Sequence, residues 1–302
     1  MSDKVKRLLK QNFSTYLMVL PCVVLLIVFV IYPLCWVLRY VFFTYDGLRP
    51  EKYIGFGNFV RLFTRDHDYW KSVYNTFVYA AGKLIITVPL SFLLAVLLNS
   101  GIRMKNLFRA IIFMPTIIST AVMSLVFYFM FNSYNGIVNQ VLLRTSIISS
   151  PINWFGMDLA MVTAIIVAIW GAVGNYMIYF LAGLQTIPEE MYEVAKIDGA
   201  NRMQILFFIV IPLMGPVMQM VLMLSIIVAL KGFQSIMVLT GGGPAGATDV
   251  MYLYVYRSFF PSQGEVLFAP QYGYGSAVAV VTAAITGFIT MLYLKFSNKR
   301  IN

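Results

Sequence analysis

Uninterrupted apolar runs, each about 18 residues or longer, recur from one end of this chain to the other. As an α-helix, a run of that length crosses the hydrocarbon core of a bilayer. Lipid offers an unpaired N–H or C=O no partner, so such runs must be helical. The composition agrees: 60% of the residues are hydrophobic and 11% charged, where a soluble domain carries about 25% charged residues. The sequence therefore predicts an all-α, polytopic membrane protein and argues against a soluble two-domain one.

Six spans are predicted, near 16–38, 73–98, 108–131, 161–184, 212–238 and 273–295. Lys4, Lys6, Arg7 and Lys10 precede the first. That start is similar to a signal peptide's, but the run is too long and has no small-residue cleavage site, so it reads as a retained anchor. Lys and Arg collect on the cytoplasmic side of membranes. Placing the N-terminus inside puts 1–15, 99–109, 185–205 and 296–302 in the cytoplasm, with both termini there. Arg103, Lys105 and Arg109 in one short loop, and Lys299 and Arg300 in the tail, fit this orientation. The 39–72 loop holds six Lys and Arg, but it is longer and carries acids as well. The domain reading is a cytoplasmic N-terminus over 1–15, a six-helix membrane domain over 16–295 with a connecting loop at 185–212, and a cytoplasmic tail over 296–302.

Several classes recede. The net charge of +10 is scattered over loops and ends and makes no single basic face for nucleic acid. Cys22 and Cys35 lie in one helix, too far apart to pair, and no CxxC spacing occurs. They read as packing residues. His67, the single histidine, sits among Arg65, Asp66 and Asp68 and reads as a solvated loop residue, so no transition-metal site is expected. LTGGGPAGATD at 239–249 is glycine-rich but lacks the GxxxxGK[ST] pattern of a phosphate loop. It reads as a tight re-entrant or surface turn. Asn132, Asn135, Gly136, Ser149, Ser150 and Pro151 mark a second turn-rich stretch at 132–160.

Twelve acids serve the whole chain, and Glu189, Glu190, Glu193 and Asp198 are gathered in one island beside and within MYEVAKIDGANRMQILFFIVIPL. Thr186 and Glu189 have capping-box spacing, with Pro188 in the first turn. The acids would sit at the positive end of a helix dipole. A short helix is predicted over 188–197, ended by Gly199 at positive φ, and a second from Asn201 towards Pro212. Met191, Val194 and Ala195 share a face by their spacing, and Ala195 and Gly199 are small enough to admit another backbone. A solvated connecting loop would explain the acids alone. The caps, small residues and apolar face together point to docking.

The segment Leu184-Gln185-Thr186-Ile187-Pro188, Tyr192-Glu193-Val194-Ala195, Asp198-Gly199-Ala200, Phe207, Ile211-Pro212 and Pro216 resembles the EAA loop of permease subunits of bacterial ABC importers. It is most similar to the carbohydrate branch, with Val194 standing where alanine is usual. Asn75-Thr76, Asn99, Phe108-Arg109, Pro115, Gly136-Ile137-Val138-Asn139, Asn153-Trp154, Trp170 and Leu239-Thr240-Gly241-Gly242-Gly243-Pro244 extend the resemblance along the chain. It implies an ABC importer permease fold in which the short helix is a coupling helix seated in a cleft of a cytoplasmic ATPase. Glu193, Ala195, Asp198 and Gly199 would make that joint. It also implies a second homologous permease, two ATPase subunits that bind the ATP, an extracytoplasmic sugar-binding protein, and no cofactor or catalysis of the chain's own.

Ionisable residues inside spans are costly and usually functional. Lys83, deep in the second span, either lines a polar path or snorkels outward. The same two readings apply to Lys231, near Gly232 and Gln234. Trp170, Asn175, Tyr176 and Tyr179 combine rings with an amide, as a sugar requires, but Trp and Tyr also form ordinary interfacial belts. The resemblance favours 170–179 and 231–234 as substrate-lining, and two buried lysines would suit an acidic sugar. An ion-coupled secondary transporter of a small polar solute is the alternative. Its usual mark is buried acids, and these spans hold essentially none.

Overall fold

A computed structural model describes residues 13–100, 102–261 and 270–298. Lys4, Lys6, Arg7, Lys10, Lys299 and Arg300, which carried part of the orientation argument, lie outside the described residues. The chain divides into two units, one of residues 1–65 with 255–281 and one of 66–254 with 282–302.

In the first unit the leading span comprises α1 (Phe13–Leu26), a π-helical turn (Ile27–Ile31) and α2 (Tyr32–Tyr40). The π turn has a local cause. Pro33 has no N–H to give, and Tyr32, just before it, donates to the carbonyl of Ile27, five residues back. From Thr15 to Cys35 every residue is exposed, as a lipid-facing or partner-facing helix requires. A two-strand hairpin follows: β1 (Phe43–Thr44) runs antiparallel to β2 (Lys52–Tyr53), with Phe43 opposite Tyr53. The amides of Arg49 and Leu48 donate to Asp46 in the connecting turn and hold its carboxyl below the usual range. Buried Asn58, in α3 (Gly57–Thr64), donates to the carbonyls of Val41 and Phe43 at 2.8 and 3.0 Å.

The second unit opens with α4 (His67–Asn99), capped by Asp66, whose side chain accepts from the amide of Tyr69 at 2.9 Å. His67 is thus the exposed first residue of a helix and not a loop residue. The next elements are α5 (Lys105–Ile117), α6 (Thr120–Met130), α7 (Ile137–Arg144) and α8 (Ala160–Leu184). Then come α9 (Glu189–Ile197), α10 (Arg202–Ile205), a π turn (Leu206–Val210), α11 (Ile211–Leu213), α12 (Gly215–Leu230) and α13 (Gln234–Leu239). The second π turn repeats the logic of the first: Ile211, before Pro212, donates to the carbonyl of Leu206. Two further helices, α14 (Met251–Phe259) and α15 (Tyr272–Asn298), complete the chain.

Among the described residues, five helices are long and apolar enough to cross a membrane: Thr15–Tyr40, His67–Asn99, Ala160–Leu184, Gly215–Leu239 and Tyr272–Ser297. They match five of the expected spans to within a few residues, except at the start of the second. The third expected span, 108–131, falls on a bent pair: α5 and α6 meet at 96° and do not form one straight helix. Thr116, Ile117 and Ile118 are β-branched in succession and fit a helix poorly. Ile118 and Ser119 then leave helical backbone, with ψ of 134° and 133°.

Within the second unit α4 packs chiefly on α8, and α5 and α12 pack on the same pair. One buried apolar cluster gathers Leu98, Met177, Phe180, Leu184, Ile187 and Met214; a second gathers Tyr79, Phe131, Val167, Ile236 and Leu253. Gly174 lets α8 approach α5 closely, because a β-carbon there would overlap the carbonyl oxygen of Ile112. Gly174→Val is expected to destabilise the detergent-solubilised protein by about 2 kcal/mol or more. Gly287→Ala, where a β-carbon meets nothing within 4 Å, should change stability by less than about 0.5 kcal/mol. Thermal melting of the two variants checks both.

Candidate functional site

The acidic island lies at the end of α8 as two short helices. The first, α9, ends in a complete Schellman motif. Gly199 has φ +77°, its N–H donates to the carbonyl of Lys196, and the amide of Ala200 reaches back to Ala195 at 2.9 Å. The expected capping box at its start is corrected. Pro188, not Thr186, is the cap residue, and no side chain caps the helix. The Thr186 hydroxyl donates instead to the carbonyl of Gly183, in the last turn of α8. The capping box belongs to the next helix, where Asn201 accepts from the Gln204 amide at 2.9 Å and the Gln204 side chain accepts from the Asn201 amide at 2.7 Å.

Burial sorts the faces of α9. Ile187, Tyr192 and Ala195 turn inward, and Tyr192 packs on the cluster around Phe180. That burial raises the Tyr192 pKa above its usual value. The expected face of Met191, Val194 and Ala195 therefore splits. Ala195 is 5% exposed, while Met191 and Val194 are 42% and 56% exposed and are joined outward by Ile197. Glu189, Glu190, Glu193 and Asp198 are all exposed. None forms an ion pair or hydrogen bond through its carboxylate within the described chain. A β-carbon on Gly199 would meet nothing within 4 Å. The outward surface is thus apolar, flanked by uncommitted acids, and flush at Gly199.

The expected substrate-path residues do not gather at one point. Lys83 is buried, 6% exposed, so its stem does not run outward. It belongs to a buried polar stripe on α4: Ser72, Thr76, Lys83, Thr87 and Ser91 recur at helical spacing. Tyr79, one turn before Lys83, lies against Gly232 and its hydroxyl is 3.3 Å from that of Ser235. Lys83 and the 231–235 segment are thereby neighbours across one tyrosine. Lys231 and Gln234 themselves are exposed at the ends of α12 and α13. On α8, Tyr176 is buried, Asn175 half-buried, and Trp170 and Tyr179 exposed. Trp170 stands edge-on to Phe127 with centroids 5.1 Å apart. The four-residue rhythm of Ser and Thr along α4 is visible in the sequence, and it was the signal that could have placed more than Lys83.

The glycine-rich loop is strapped to the start of α4. Lys71 donates to the Ala245 carbonyl at 2.9 Å, and Asn75 to the carbonyls of Gly246 and Asp249 at 3.0 Å each. Thr240 and Thr248 join hydroxyls at 2.7 Å across the loop. Positive φ at Gly241, Gly242 and Gly246 makes the turn possible.

With this geometry, comparison with known proteins is informative. Residues 87–302 match the family described as binding-protein-dependent transport system inner membrane component. The chain is 31% identical to the trehalose/maltose transport system permease protein MalF of Thermococcus litoralis, over 94% of each chain. It is 33% identical to the lactose transport system permease protein LacF of Rhizobium radiobacter, covering 96% of this chain and 95% of that one. A solved bacterial alginate ABC transporter in complex with an alginate pentasaccharide-bound periplasmic protein has a chain of the same fold. It superposes with a TM-score of 0.83 at 23% identity, covering 97% of this chain and 96% of that one.

The corrected caps give a direct test. Asn201→Ala should destabilise the α10 turn by about 1 kcal/mol and speed amide exchange at Gln204. Thr186→Ala should leave exchange in α9 unchanged, because its hydroxyl serves α8.

Proposed function

We propose a mechanism for this chain from one premise: it belongs to the family of binding-protein-dependent transport system inner membrane components, the permease subunits of ABC importers. It is a multi-pass membrane subunit and not an enzyme. Its cargo is a sugar or oligosaccharide, as the names of its trehalose/maltose and lactose relatives indicate for them. An extracytoplasmic binding protein delivers the sugar. A second, homologous permease shares the path, and two cytoplasmic ATPase subunits bind the ATP. Six spans cross the membrane, counting the bent α5–α6 pair as one, with both termini in the cytoplasm.

One observation carries the mechanism. The outward surface of α9 is apolar and acidic and finds no partner among the described residues. Met191 and Val194 would enter the ATPase cleft, Glu193 would meet a basic residue there, and Gly199 would let the ATPase backbone pass close. Ala195 acts from the other side, seating the helix on its own chain. Asp198 carries the Schellman turn and leaves its carboxylate to the partner. Motion of the ATPase pair then reaches α8 and α12 through the packed cluster of Ile187, Leu184 and Met214. Along the path, Lys83, Asn175, Tyr176 and the 231–234 segment with Lys231 and Gln234 offer hydrogen bonds, and Trp170 and Tyr179 offer ring faces. Buried Lys83 would also favour a sugar bearing negative charge. The ion-coupled alternative gains nothing from this chain, whose path residues include no acid.

Glu193→Lys and Gly199→Asp test the joint in the reconstituted complex. Asp tolerates left-handed backbone better than most residues, and no described residue lies within 4 Å of the new β-carbon. Strain inside the permease therefore costs only about 1 kcal/mol. Both variants should insert and assemble as membrane subunits, yet lose sugar uptake by about 100-fold or more, the equivalent of about 3 kcal/mol at the joint. The ATPase should be released or cycle without transport. Normal uptake with the ATPase still bound would reduce the loop to a linker.

A further inference from the structure

The loop after α6 and the loop after α13 enclose an open groove of about 580 Å³. It lies at the start of α8, and the acidic island lies at the end of that helix, 25 residues or about 37 Å away. Its walls are held rigidly from beneath. Buried Asn139 donates to the carbonyls of Ser133 and Ile152 at 3.1 and 2.9 Å and accepts from the amide of Ile152 and the indole N–H of Trp154. Gly136 leaves no room for a β-carbon, which would overlap the carbonyl of Asn132. On the opposite wall, Thr240 and Thr248 lock the turn that presents Gly243 and Pro244.

The surface so held is polar and aromatic together. Tyr128 and Phe155 stack with centroids 5.4 Å apart and planes at 25°, and Tyr134 stands 91% exposed at the rim. Asn132 and Asn153 spend their amide oxygens on the loop itself, on the backbone N–H groups of Tyr134 and Asn135 and on the Ser133 hydroxyl. Their N–H groups, and the phenols of Tyr128 and Tyr134, make no hydrogen bond within the described chain. The lining includes no Lys, Arg, His, Asp or Glu. Ring faces meet the C–H face of a pyranose or furanose, and fixed amide and phenol groups meet its hydroxyls. The volume is in the range of small-ligand sites.

We propose that this groove is a saccharide subsite at the outer mouth of the path. It holds one uncharged sugar ring of the cargo between release from the binding protein and passage to the path around Lys83. The proposal rests on the sugar-importer reading above and adds a site where span ends and the loops beyond them meet.

The test uses the full complex in proteoliposomes, with its binding protein and with radiolabelled maltotriose, lactose and an arabinotriose as probes. Tyr134 and Asn153 are exposed, so Tyr134→Ala with Asn153→Ala leaves the fold intact. Uptake of the transported probe should fall about tenfold, while stimulation of the ATPase by the loaded binding protein stays within about twofold of wild type. Tyr134→Phe, which keeps the ring, should retain most of the uptake. Unchanged uptake in the double variant overturns the groove and leaves the importer reading intact. A parallel fall in ATPase stimulation also overturns it, because the groove would then be a docking face for the binding protein. If the wild-type complex moves neither these neutral probes nor an acidic oligosaccharide, the importer reading itself fails and the groove proposal with it.

Discussion

Every backbone N–H and C=O that lies in lipid must find its partner inside the chain, and the rest of this structure follows from that requirement. It makes the apolar runs helical and fixes their lengths. It also dictates how the helices tolerate interruption. Where Pro33 and Pro212 remove a donor, the backbone widens into a π turn and the preceding amide reaches five residues back. Where the α5–α6 pair bends by 96°, the bend falls after Pro115 in a β-branched run, and Ile118 closes it with a bond to the Pro115 carbonyl. Interruption is thus confined to places with a local hydrogen-bonding answer.

Much of this was legible in the sequence, for reasons that vary by element. Five spans declared themselves by length and hydropathy alone, since no tertiary contact is needed to know that about 20 apolar residues form a helix in lipid. Gly199 was readable because its demand is local: an αL residue closing a helix. The α5–α6 bend was not read, although Pro115 and the β-branched Thr116, Ile117 and Ile118 mark its place, because hydropathy alone gives no sign of where an axis turns. The start of α9 was misread for a related reason. Thr186 and Glu189 have capping-box spacing, but the Thr186 hydroxyl was already committed to Gly183 in the helix before. Spacing cannot say which of two helices a hydroxyl serves. Ala195 was read as outward because it shares a helical face with Met191, and only the packing of Ile187 and Tyr192 turns it inward. The groove beside Tyr134 was missed entirely. Its residues come from the end of α6 and the turn after it, from the stretch before α8, and from the end of α13 with the loop beyond, and nothing in the first two announces the last.

The second unit reads as a device with different chemistry at the two ends of one helix. At the end of α8, short capped helices present an apolar and acidic surface suited to a protein. At its start, stacked rings and unspent amides suit a sugar. Between them runs a buried polar stripe with a single lysine at its centre. On α8, Gly174 and Gly183 let α5 and the start of α12 approach closely, so movement at one end of that helix has a packed route to the other.

The most direct measurement of the central claim is a cross-link at the joint. Cys22 and Cys35 are both exposed and must first be replaced by serine. A cysteine placed at Val194, on the outward face of α9, is then treated with a short bifunctional thiol reagent in the assembled, transporting complex. The account predicts an adduct with the mass of this chain plus one ATPase subunit, in a yield that changes when ATP is added. A cysteine at Ile147, on the loop beyond α7, should yield no such adduct. Absence of the ATPase adduct at position 194 in a complex that transports sugar would contradict the account.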